Sequence, residues 1–275
     1  MNDIAIMQGR LLPPYEGRFQ AFPAKKWRDE FVNANSASLA CIEWIYEKPN
    51  ENLNPFSSDD GIKELRQIIK TSGISIRSIC ADYYMDEFLI DVNGNIRNKA
   101  VNHLIWLIGQ AAKLSIIYIV LPFVDASSLG TSPQQQGLIS LMQALGPKAA
   151  KLGLELHLET NLSPTLFKGI LESINHPSIQ VNFDIGNSAS LNYDPTEELT
   201  ALAPFIGSVH VKDRMLGGST VALGQGNADF PTCFNLIRKA GFSRHFVLQT
   251  ARGKDGHEVE LAIHNRKFVE QQLSN

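Results

Sequence analysis

The sequence predicts a single (β/α)8 TIM-type barrel occupying residues 1–275, on three observations. Short runs rich in Ile, Val and Leu alternate with amphipathic stretches through eight beats. Buried runs separated by helices call for a parallel sheet, because parallel strands need long crossovers. The 275 residues match the roughly 250 of a closed barrel. The third observation concerns the open alternative: no Gly-x-Gly-x-x-Gly or phosphate-loop motif supports a doubly wound sheet, and no linker or internal repeat divides the chain.

The beats read in order as follows. Ile4 to Met7 is a short apolar run closed by Gln8-Gly9-Arg10. The next segment, to Pro23, is rich in Pro, Gly and aromatics and reads as a long loop of the kind that often carries function. Trp27 to Asn35 has helical character, and Leu39 to Ile45 reads as a buried strand with Glu43 inside it. Ser57-Ser58-Asp59-Asp60 starts a helix carrying Ile62, Leu65, Ile68 and Ile69 at helical spacing, and Gly73 ends it. Ile74 to Cys80 is the third strand, finishing at Ala81-Asp82. Val101 to Ala112 is the clearest amphipathic helix, and Ile116 to Leu121 is a continuous apolar strand stopped by Pro122.

Four more beats follow. Leu138 to Leu145 is helical and Leu154 to Glu159 a strand. Ser163-Pro164 opens a helix that ends before Pro177, followed by the strand Ile179 to Asp184. Asp194-Pro195 opens another helix, and Ile206 to Val211 is the seventh strand. After a Gly-rich segment, Pro231 begins a helix closed by Gly241. Phe246 to Gln249 is the last strand, and a helix runs on to about Leu273.

Composition excludes several classes. Hydrophobic residues make up 44% and charged residues 19%, which suits a globular protein with a substantial core. The net charge of −3 argues against a dedicated nucleic-acid binder. Cys41, Cys80 and Cys233 show neither metal-finger spacing nor a disulfide framework, so a reducing compartment is expected. The N-terminus is too short in apolar residues and too acidic for a signal peptide, and no apolar run nears the ~20 residues of a membrane span. The expectation is a soluble, cytoplasmic protein.

The candidate site comes from the ends of the last four strands: Glu159, Asp184, His210 and Gln249. A barrel of this kind works at the carboxyl ends of its strands. Polar residues end many strands simply because loops begin there, so each alone means little, and the weight lies in four on successive beats. Two carboxylates, an imidazole and an amide oxygen suit one divalent ion, Mn²⁺ or Mg²⁺ first, with Co²⁺ or Zn²⁺ also compatible. His157 shares the face of Glu159, two residues on. It is either a satisfied interior histidine or a relay acid. A carboxylate inside a strand, as at Glu43, needs a partner, either a neighbour or substrate. Lys212 at the rim is placed to contact substrate oxygens, and Arg214 to hold a phosphate or carboxylate, with Arg10 and Arg252 from the neighbouring first and last beats joining it. Gly217-Gly218 and Gly224-Gln-Gly226 are expected to form a mobile loop with exposed amides. Trp44, Phe19, Phe22 and Tyr83 are candidates for a hydrophobic wall.

Four motifs, Leu-Glu159-Thr, Phe-Asp184-Ile-Gly-Asn187, Val-His210-Val-Lys-Asp-Arg214 and Leu-Gly224-Gln-Gly226-Asn-Ala-Asp229-Phe, resemble the xylose isomerase-like barrel superfamily of sugar and sugar-phosphate isomerases and epimerases. The resemblance covers most of the chain. It implies one divalent ion, often Mn²⁺, on Glu159, Asp184, His210 and position 249, a sugar or sugar-phosphate substrate, and a homodimer paired through rim loops. Two positions depart from the pattern. Gln249 stands where the superfamily has Glu, and an amide does not exchange protons near neutral pH. Asn187, counted among the substrate-contacting residues, stands where members often carry His. A single base, Glu159, still supports proton shuttling on one face of an enediolate, which is aldose–ketose isomerisation, and the expected chemistry is isomerisation or epimerisation through a metal-stabilised enediolate with Glu159 as base. A metal-dependent dehydratase or lyase acting on a keto-polyol, with His157 or Lys212 as acid, and a catalytically silent carbohydrate-binding barrel are the rival readings.

Overall fold

The computed structural model describes residues 3–274. Eight parallel strands close into a barrel: β1 (Ile4–Met7), β2 (Cys41–Ile45), β3 (Ser75–Cys80), β4 (Tyr118–Phe123), β5 (Glu155–Thr160), β6 (Ile179–Asp184), β7 (Ile206–Val211) and, after a two-stranded hairpin of β8 (Asp213–Arg214) and β9 (Thr220–Val221), β10 (Phe246–Leu248). Closure comes from β1, which pairs with β2 on one side and β10 on the other. Ten helices accompany the strands among the described residues: α1 (Asp29–Ser36), α2 (Asp59–Ser72), α3 (Tyr83–Asp86), α4 (Asn98–Ala112), α5 (Ser132–Lys151), α6 (Pro164–Ile174), α7 (Ile185–Ser190), α8 (Pro195–Leu202), α9 (Phe230–Lys239) and α10 (Glu258–Ser274). None is long and apolar enough to cross a membrane.

Local chemistry sets the helix ends. Ser58 Oγ accepts the Gly61 N–H to start α2, and Gly73, at φ 75°, ends it in the left-handed region glycine favours. Thr131 and Gln134 form a reciprocal cap that starts α5 well before Leu138, and α5 continues through Pro147. Asp194 accepts from Thr196 and Glu197 N–H, with Pro195 in the first turn of α8. Three elements were not anticipated from the pattern: the short α3 and α7, which have too few residues to show a period, and the β8–β9 hairpin. Strands β2 and β4 start two residues later than the apolar runs suggested. Ser38, at φ 53°, turns the chain before β2.

Trp44 and Phe22 are fully buried in an aromatic cluster with Trp27, Phe31 and Phe56. Tyr83 stacks on His103 with ring centroids 4.1 Å apart. The expected aromatic wall is therefore corrected. Trp44 and Phe22 pack between strand and helix, because a large ring gains most where both faces lose water. Only Phe19, 46% exposed, reaches the cavity described below. The three cysteines are free and buried.

Glu30 on α1 is fully buried, and its Oε1 accepts the Gly9 N–H. Its other oxygen has no hydrogen-bond partner. Burial pushes this carboxyl up from 4.5 to about 8. The native state thus holds the proton more tightly than the unfolded chain. Its contribution to stability is full below 4.5 and is lost as pH rises to about 8. Urea melts of the wild type should show stability declining across that window, and Glu30→Gln should flatten the decline.

Candidate metal and active site

β5, β6, β7 and β10 form one continuous arc of the barrel, and their carboxyl ends bring Glu159, Asp184 and His210 together. One ligating atom from each lies within 4.8 Å of the others, and all three residues are buried. Asp184 closes β6, and Glu159 and His210 stand one residue before the ends of β5 and β7, so alternation along the strands brings all three to the barrel mouth.

Each side chain is held by a specific partner. Asp184 caps α7: its Oδ1 accepts the Asn187 N–H at 2.8 Å. That aims Oδ2 at the cluster, where it is buried without a hydrogen-bond partner. The Lys212 ammonium stands 2.7 Å from this oxygen as an ion pair, but outside hydrogen-bonding direction. Gly186 makes room for this approach, since a Cβ there would lie 2.8 Å from Lys212 Cγ and 2.9 Å from its backbone. Glu159 has both oxygens occupied by amides, Oε2 by Asn182 Nδ2 at 2.8 Å and Oε1 by Asn187 Nδ2 at 2.7 Å. Burial, and then the nearby Asp184 charge, push its carboxyl up to about 7.

His210 is fixed from below. Its Nε2 lies 2.6 Å from Glu43 Oε1, and Ser78 Oγ donates to Glu43 Oε2 at 2.7 Å. Both His210 and Glu43 are wholly buried. With Nε2 committed, Nδ1 faces Glu159 Oε2 at 3.5 Å and Asp184 Oδ2 at 3.9 Å. Burial opposes charge on this ring, yet Glu43, Glu159 and Asp184 together raise it to about 9. The strongest of these pulls is Glu43 at Nε2, and Asn182 Nδ2 lies 3.1 Å from Nδ1. A carboxylate behind a histidine whose other nitrogen points at two more carboxylates is the arrangement found behind metal-binding imidazoles. The Asp184 oxygen, which has no hydrogen bond although the Lys212 ammonium pairs with it, and this donor set fit a divalent cation.

Several expectations are corrected. Glu43 does not reach the cavity. A register shift between Ile42 and Glu43 against β3 places it inside the barrel, opposite Ser78, so it orients His210 instead of touching substrate. His157 is fully buried and stacked on Tyr118, bonded to Glu155 at 2.9 Å and Ser208 at 2.8 Å. It connects with Glu159 only through Ser208 Oγ, Asn182 Oδ1 and Asn182 Nδ2, so it is a satisfied interior histidine and not an acid at the site. Arg10 spends its donors on Thr250 O, Phe19 O and Gln20 Oε1, and Arg252 donates to Phe19 O and Leu12 O. Together they clamp the β1–α1 loop, Arg252 Nη2 stays buried without a hydrogen-bond partner, and neither residue borders the cavity described below.

Gln249 lines the cavity with its Oε1 accepting from Lys212 Nζ at 2.8 Å and its Nε2 donating to Gln20 at 3.2 Å. Arg214 also borders the cavity. Its Nη1 donates to Asn187 Oδ1 at 2.9 Å, while Nε and Nη2 both donate to Gly218 O. Sequence reasoning missed Asn182, Ser208 and Gln20. Asn182 carried a usable signal, since it lies two residues before Asp184 and shares its face. Gln20 carried none beyond its place in a long loop.

The Gly-rich segment is not a free loop. Asp213, wholly buried, accepts the N–H groups of Gly224 (2.8 Å), Gly226 (2.9 Å) and Ala228 (3.1 Å). A Cβ at Gly226 would lie 2.2 Å from Asp213 Oδ1. Asp213→Ala strands three donors and should cost about 2–3 kcal/mol. The check is thermal melting together with faster hydrogen exchange at those three amides.

The cavity above the cluster has a volume of about 570 Å³ and is bordered by Glu159, Asn187, Lys212 and Gln249 on one side and by Arg18, Glu47 and Asp82 on the other. The size is that of a small-molecule pocket. Residues 31–272 match the xylose isomerase-like TIM barrel family. The chain belongs to that family. Among curated relatives, the L-ribulose-5-phosphate 3-epimerase UlaE of Shigella flexneri is 24% identical over 242 residues, covering 84% of each chain. Among solved structures, the D-allulose 3-epimerase from Methylomonas sp. in complex with D-allulose superposes with a TM-score of 0.77 at 15% identity, over 98% of this chain and 97% of that one. A xylose isomerase-like TIM barrel protein from Mycobacterium smegmatis in complex with magnesium gives a TM-score of 0.72 at 18% identity, over 99% and 97%. At these identities the structural likeness establishes the fold. For a family member, the Glu159–Asp184–His210 cluster lies where a barrel of this class places its chemistry.

Proposed function

We propose that this xylose isomerase-like barrel is a divalent-metal-dependent ketose isomerase, with 3-epimerisation as its reaction. The observation that carries the reading is the pairing of Lys212 Nζ with Gln249 Oε1 at 2.8 Å, on the same cavity wall as Glu159. An amide at position 249 exchanges no proton, but the ammonium it orients does. Relatives named as 3-epimerases and a neighbour bound to a ketose support the substrate class, and a neighbour bound to magnesium supports the cation.

Glu159, Asp184 and His210 would hold the ion, with Gln249 the expected fourth contact. Bound there, a divalent cation supplies charge stabilisation for the oxygens of an enediolate. Glu159 takes the proton from the carbon next to the carbonyl. A positioned carboxylate suits that task. Lys212, the second proton-exchanging group on that wall, would return a proton to the other face of the same carbon. The lysine is then neutral and Glu159 protonated, and solvent exchange resets both. Asn182 and Asn187 hold the Glu159 oxygens in place throughout.

Incubation with Mn²⁺ and a ketose in D₂O tests this. The expected product is the 3-epimer carrying solvent deuterium at C3. Loss of water from the substrate would instead mark a dehydratase, and no exchange with any ketose would mark a silent barrel. Lys212→Met should lower epimer formation by about 10²-fold while wash-in of deuterium into the unreacted ketose continues. If epimer forms at the wild-type rate in that variant, the second face is served by another group.

A further inference from the structure

We propose that the substrate of this barrel is an uncharged ketose and not a phosphate ester. The inference rests on the epimerase reading above and concerns the end of the sugar that leaves the metal cluster.

The cluster occupies the β5–β6–β7–β10 arc, so a sugar bound there extends toward the loops after β2, β3 and β4. That wall carries four carboxylates, Glu47, Asp82, Asp86 and Asp125, and the Arg18 guanidinium. Arg18 is held bidentately by Glu47 at 2.7 and 2.9 Å, so its charge is already matched. Asp82 accepts from Gln20 Nε2 at 2.8 Å, and Asp86 and Asp125 are exposed at the mouth. Among the described residues bordering the cavity, the other two cations lie on the metal side. Lys212 is engaged by Asp184 and Gln249, and Arg214 is fixed on Asn187 and Gly218. A phosphate dianion on the far end would therefore meet carboxylates with no unmatched cation beside them, and like charges brought together oppose binding. Hydroxyls have the opposite fit. Carboxylates accept their hydrogen bonds, and the exposed Phe19 ring offers an apolar face to C–H groups. The curated relative acts on a phosphate by its name, so substrate class would differ between these family members.

The test uses the wild-type protein loaded with Mn²⁺ and a pair of probes differing only in the ester, L-ribulose and L-ribulose 5-phosphate. Deuterium exchange from D₂O reads turnover, and titration calorimetry reads binding. The expected result is a kcat/KM for the free ketose at least about tenfold above that of the ester, with tighter binding to match. The Asp86→Asn/Asp125→Asn double variant should narrow that ratio at least about threefold by improving the ester. Asparagine suits the left-handed backbone of Asp125, at φ 48°. A ratio favouring the ester, or one the double variant leaves unmoved, overturns the proposal. If neither sugar exchanges deuterium, the enediolate reading fails by itself. Calorimetry then still decides: tighter binding of the free ketose supports the uncharged ligand, and tighter binding of the ester, or binding of neither, overturns it.

Discussion

Glu159→Gln is expected to abolish deuterium exchange and epimer formation, lowering both by about 10³-fold or more, because a positioned general base contributes roughly 10²–10⁴ and no other carboxylate can take its place. Asp184 is committed to capping α7 with one oxygen and to the cluster with the other. Glu43 lies beneath His210, out of reach of the cavity. The replacement keeps the shape of the side chain and an oxygen for one of the two amides, while its new NH2 cannot accept from the other, so the melting temperature should fall by a few degrees. Removing one charged ligand of three weakens the cation site without dismantling it, since Asp184 and His210 remain. Metal content, read by elemental analysis at saturating Mn²⁺, should persist. Residual turnover within tenfold of wild type would place the base elsewhere.

The second large effect is expected at Glu43, a residue that touches no substrate. Glu43→Ala removes the acceptor for His210 Nε2, leaves Ser78 Oγ without its partner and opens a hole in a fully buried layer. Losing the outer partner of a metal-binding histidine costs about 10–100-fold in metal affinity. Breaking a buried charge pair by removing one side costs about 3–5 kcal/mol. The variant should therefore bind Mn²⁺ 10–100-fold more weakly by calorimetry and melt well below the wild type. Glu43→Gln keeps an oxygen for Nε2 and should recover most of the stability but only part of the affinity. Unchanged Mn²⁺ affinity in Glu43→Ala would mean that His210 is positioned by its strand alone.

The barrel was legible because its signal is short-ranged. Each strand is a run of Ile, Val and Leu a few residues long, each long helix carries an apolar stripe, and Gly73 and Asp194-Pro195 mark their boundaries. Glu159, Asp184 and His210 were legible for a related reason. A charged residue at or next to the end of a buried strand finds room at the mouth, and successive parallel strands place such residues side by side. For Arg10 and Arg252 the region was legible and the contacts were not. Nothing local to either shows that both reach the Phe19 carbonyl. The Gly-rich segment looked free because the buried acceptor of its amides, Asp213, reads in sequence as one charge in a rim cluster.

By itself, then, the order of residues settled the architecture and the three ionic groups at the carboxyl rim, since both follow from local periodicity and from which residue ends a strand. The tertiary structure alone decided what surrounds them. Glu43 meets His210 across 167 residues of chain, brought there by barrel closure and by a register shift in one strand. His157 lost its catalytic part to Glu155 and Ser208, and Lys212 found Gln249. Contacts of this kind depend on where two distant segments come to rest around a closed sheet, and no pattern within either segment encodes that meeting.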